Sequence, residues 1–89
     1  MTTTDIFDAL DASGVSISDF AKLTGCSRVT LHKWKRDVNT PIRDALRLKI
    51  ALTTAMRIKR AVDAGKLPLK DTYLVTQRLK VLQSIIAQS

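Results

Sequence analysis

The chain has no glutamate, a single cysteine, two prolines, three glycines and four aromatic residues among 89, and each scarcity closes a class of function. Cys26 alone cannot close an intramolecular disulfide. With His32 as the only histidine it cannot assemble a zinc site either, so it reads as a small buried hydrophobe in a protein suited to the reducing cytoplasm. The acidic residues are scattered aspartates, and no Ser, His and Asp combination falls in a hydrolytic context, so no enzymatic chemistry is expected. There is no glycine-rich phosphate loop; neither a cofactor, a metal nor a small-molecule ligand is expected. No stretch approaches the roughly 18 consecutive apolar residues of a membrane span, and MTTTDIFDAL lacks the basic flank and apolar run of a leader.

What is present is a 45% apolar composition dominated by Leu, Ile, Val and Ala, ordinary for a helical domain. A chain this short buries roughly 60 to 65% of its unfolded surface, so self-association is a natural source of extra stability. Charge is unevenly spread along it. Residues 1–20 carry Asp5, Asp8, Asp11 and Asp19 with no Lys or Arg, whereas residues 21–60 hold eleven basic side chains against Asp37 and Asp44. A block of +9 following one of −4 is the pattern a polyanionic partner selects, although a solvated face that only aids solubility would look similar.

Thr3 or Thr4 can cap a first helix with Asp5 and Asp8 in its opening turn, Ile6, Phe7 and Leu10 at helical spacing, and Gly14 at its end. Ser16 then reads as an N-cap with Asp19 three residues on, and Val15 and Phe20 as a hydrophobic staple. The second helix is expected from Ile17 to about Thr24. Gly25 suits the positive φ of a tight helix exit, Ser27 caps the next helix, and a third helix covers Arg28 to about Arg36. Its periodicity turns Leu31 and Trp34 inward and Arg28, Val29, His32, Lys33 and Arg36 outward. After a connector at 37–39, Thr40 and Pro41 look like the cap and first position of a long helix to about Ala64, with Gly65 at its C′ position. Its apolar residues form more than one stripe, so it is expected to bury two surfaces, one against a partner chain; Met56 reads as packing. From Leu69 onward, 3,4 spacing along Val75, Leu79, Leu82 and Ile86 predicts a fifth helix ending near Gln88, with a short β-arm over 71–76 as the alternative. The expected architecture is all-α: five helices in one structural domain, with residues 1–66 around the central pair of helices and 67–89 packing on them or on a partner.

Ala21, Gly25, Leu31 and Trp34 fall at the small, turn and core positions of a helix-turn-helix, and the run from Ile17 to Arg36 resembles the lambda-repressor and Cro-like family of phage and bacterial DNA-binding proteins. It departs from that pattern at Ile17, where the family often has a bracing glutamine, and at Thr24, where an aliphatic residue is usual. The resemblance implies that Ser27, Arg28, Val29, His32 and Lys33 read bases. It implies phosphate contacts from Lys22, Lys35, Arg36 and Asn39, with Thr30 and Arg43 as further candidates. The chemistry agrees: Arg28 or Lys33 can donate to guanine O6 and N7, and the Val29 methyls can pack on a thymine methyl.

The expected function is sequence-specific binding of double-stranded DNA by a transcriptional regulator of repressor type, acting as a homodimer on a palindromic operator. Two alternatives stay open at this point. One is a packaging, replication or partition adaptor using the same motif; the other is a basic inhibitor that binds a host protein.

Overall fold

The structure, a computed structural model, describes residues 3–37, 43–67 and 75–88. They form five helices and, among the described residues, no strand: α1 (Thr3–Ser13), α2 (Ile17–Thr24), α3 (Arg28–Arg36), α4 (Ala45–Asp63) and α5 (Val75–Ala87). The protein is all-α, as its periodicity predicts. No helix among the described residues is long and apolar enough to cross a membrane.

Two helix ends follow from local chemistry. At the start of α2, Ser16 Oγ accepts from the Asp19 N–H at 3.1 Å, satisfying one of the donors a helix N-terminus leaves open. Val15 and Phe20, on either side of that cap, are both buried, as a staple requires. At the end of α4, Gly65 (φ +76) donates to Val62 O and Lys66 donates to Ala61 O, the paired bonds of a Schellman motif at the position assigned to Gly65 from sequence.

Two helix starts differ from expectation. Thr3 and Thr4 lie inside α1, so neither is its cap. The long helix begins at Ala45, not Pro41: Asp44 is the N-cap, its carboxylate accepting from Arg47 N at 3.0 Å and pairing with Arg47 Nε at 3.1 Å. A carboxylate facing the positive end of the helix dipole out-competes the Thr40-Pro41 signal, and Arg43 is left outside the helix. Thr40 and Pro41 themselves lie outside the described residues, as do the start of the pattern at Leu69 and most of the β-arm segment. Val75 and Thr76 belong to α5, so the strand alternative fails at both.

The core is one cluster drawn from all five helices and the segment after α4. α1 packs most extensively on α4, whose buried residues are Ala51, Ala55, Ile58 and Ala61. Phe20, Ile6 and Leu31 fill the centre, and Leu67, Leu82 and Ile86 join the C-terminal part to it. A half-buried ion pair adds a polar tie between α2 and α5: Arg78 Nε lies 2.9 Å from Asp19 Oδ2, with Asp19 only 7% exposed. The Arg78 N–H is poorly aligned on its acceptor, so charge rather than a directed hydrogen bond holds the contact. Its energetic meaning is asymmetric, because removing Arg78 would strand a buried carboxylate.

The second apolar stripe of α4 does not enter this core. Leu46 is 69% exposed, and Ile50 and Met56 are also exposed, so Met56 is not a packing residue. At about 100° per residue Leu46, Ile50 and Met56 lie on the sides of α4 away from buried Ala51, Ala55 and Ile58.

Candidate nucleic-acid interface

α3 is held as a platform. Leu31 and Trp34, three residues apart, are buried on its inner side, while its outer side presents Arg28, Val29, His32, Lys33 and Arg36, all exposed. At about 100° per residue these five cover one continuous face. Val29 is 79% exposed, the most exposed large apolar side chain among the described residues, and it stands between cations. Lys35 is exposed at the edge of the face.

The turn that aims this platform is closed by backbone and hydroxyl groups. Gly25 (φ +75) donates to Ala21 O at 2.9 Å in a left-handed conformation that a side chain would strain. Thr24 Oγ1 donates to Phe20 O at 2.9 Å and accepts from Cys26 N at 3.3 Å, so the hydroxyl links the last turn of α2 to the backbone leaving it. An aliphatic residue at that position would supply neither bond. Cys26 is buried and free, as its composition predicts. Ser27 then caps α3, accepting from Thr30 N at 3.1 Å and sharing a 2.8 Å hydrogen bond with the Thr30 hydroxyl. Ser27 and Thr30 are thus engaged with each other at the helix start, and Thr30 is half-buried beside the outer face.

One residue of this surface carried no signal in the sequence. Arg28 Nη1 donates to Ser18 Oγ at 3.3 Å, joining the first turn of α2 to the first turn of α3. Ile17, where the family resemblance places a bracing side chain, is half-buried against the core instead. The brace sits one residue further on, and only the angle between the two helices reveals it. Lys22 lies nearby: Ser18, Ala21, Lys22, Gly25, Cys26 and Arg28 line an open hollow of about 570 Å³ with two cations at its rim. Arg36 makes a long 3.9 Å contact with Asp37, both largely in solvent. Arg43 is exposed ahead of α4, and Asn39 lies outside the described residues.

The arrangement therefore brings Arg28, Val29, His32, Lys33 and Arg36 onto one face, sets Lys22 beside Arg28, and assigns Ser27 and Thr30 to the helix cap. Such a face can donate hydrogen bonds to polyanions and to base edges and can cover a methyl group. Comparisons with protein-family models, with curated proteins and with solved structures found no match to the chain.

Proposed function

We propose that the protein is a sequence-specific, double-stranded DNA-binding regulator of transcription of repressor type, with α3 entering the major groove. The observation that supports this reading most is Val29, 79% exposed on a convex basic helix whose opposite side is anchored in the core. Leaving an aliphatic side chain in water among four cations makes sense when a base edge covers it. In this reading Arg28 and Lys33 donate to guanine, Val29 contacts a thymine methyl, and His32 donates to a base edge or phosphate. Lys22, Lys35, Arg36 and Arg43 neutralise phosphates and set register without reading sequence. Ser18 positions the Arg28 guanidinium. Occupancy of such a site would block polymerase.

Sites selected from random duplexes supply the probe, and titrations in graded salt test the roles. Arg28→Ala combined with Lys33→Ala should lower affinity for the selected site at least tenfold and flatten its preference over scrambled DNA, since a good base contact is worth about 1–3 kcal/mol. Lys22→Ala should weaken all sequences alike and reduce the log-log salt slope by about 1. Selection that enriches no sequence, or a double variant that binds as the parent does, overturns the proposal.

A further inference from the structure

The two ends of α4 carry complementary surfaces on the described residues. From Ala51 onward the helix is covered on one side, but Ala45, Leu46, Arg47, Lys49 and Ile50 are all exposed and only Leu48 is half-buried. The first six residues, about 9 Å of helix, thus touch the core only through Leu48. This end presents Leu46 and Ile50 one turn apart, 69% and 40% exposed, among Arg43, Arg47 and Lys49; with Asp44 it carries a net charge of +2. At the other end, α1 and α4 enclose a groove of about 380 Å³ lined by Asp5, Asp8, Ala9, Ala12, Lys59, Val62 and Asp63. Alanines and Val62 give it an apolar strip, and three carboxylates against one ammonium leave it at −2.

We propose that the exposed start of α4 in one copy docks into the α1–α4 groove of a second copy. Leu46 and Ile50 then cover Val62 and Ala12, while Arg43, Arg47 and Lys49 face Asp8 and Asp63. A second copy is the occupant because each surface has an apolar centre and a cationic or anionic surround of the sign the other needs. The contact joins the molecules head to tail. Counted at about 100° per residue, Leu46 and Val62 lie roughly 160° apart around the helix, so the two surfaces face nearly opposite ways. A twofold pair cannot mate both ends at once in that geometry, and a heterologous contact leaves one knob and one groove open for the next copy. Two aliphatic anchors and a few exposed ion pairs make a small interface, so association is weak and salt-sensitive. The contact shares Arg43 with the proposed DNA surface, but its test involves no DNA, so it stands or falls separately from the proposed function.

The test is sedimentation velocity of the full chain over a concentration series at low salt. The parent should grow past dimer as concentration rises. Leu46→Ser with Ile50→Ser removes the knob, and Asp8→Lys with Asp63→Lys reverses the groove; each should associate at least tenfold more weakly. All four positions are exposed, and circular dichroism checks folding; Asp8→Asn with Asp63→Asn replaces the reversal if that variant unfolds. The informative sample is a one-to-one mixture of knob and groove variants, which retains one intact knob and one intact groove and should form a dimer that grows no further. A parent that stays monomeric, a parent that stops at dimer, or a mixture that stays monomeric would each overturn the proposal.

Discussion

α3 and the start of α4 have similar composition and opposite mechanical situations. Both are cationic, and both leave aliphatic side chains in water: Val29 on one, Leu46 and Ile50 on the other. Behind Val29, however, Leu31 and Trp34 are locked into the core, and the helix is capped by Ser27 and braced by Arg28 on Ser18. Behind Leu46 only Leu48 reaches the core, half-buried. The contrast teaches that an exposed apolar residue takes its meaning from what supports it. On a rigid convex face among hydrogen-bond donors it suits readout of a groove floor; on a sparsely supported helix end it suits insertion into another protein surface.

Three stability measurements sharpen that contrast. Leu31→Ala removes a side chain with no exposure at the base of the platform and should cost about 2–5 kcal/mol in urea unfolding. A loss below about 1 kcal/mol would mean that α3 is not anchored as described. Ser27→Ala deletes the cap and should cost about 1 kcal/mol, with amide exchange accelerated first at Thr30, whose N–H it satisfies. Uniform acceleration along α3 would point to loss of packing instead. Leu46→Ser touches the exposed start of α4 and should shift stability by no more than about 0.5 kcal/mol, because its side chain gains little from folding. A larger loss in dilute monomer would show that the end of α4 is covered within a single chain.

The parts of this arrangement that were legible in the sequence are those made by neighbours along it. Ser16 and Ser27 cap helices three residues ahead of the N–H groups they accept from, Gly25 and Gly65 end helices in the left-handed region, and Leu31 and Trp34 share a side because three residues are nearly one turn. Where two local signals competed, sequence reading chose the wrong one: Thr40-Pro41 was the more conventional start for α4, yet Asp44 and Arg47 form the cap. Met56 was misplaced for a different reason. Apolar spacing along α4 describes two stripes, and nothing along the chain says that only one of them meets a neighbour.

By itself, then, the sequence determined the number and order of the helices, the turn between α2 and α3, the inward pair on α3 and the basic character of its outer face, since all of these depend on contacts within a few residues. Only the tertiary structure decided that Ser18 meets Arg28 ten residues away, that Asp19 meets Arg78 across the molecule, and that α4 ends in an uncovered cationic knob at one pole and an acidic groove at the other. Those features depend on where helices cross and how far they overlap. Crossing and overlap are set by which side chains fill the space between two helices, a property of the pair that neither helix carries alone.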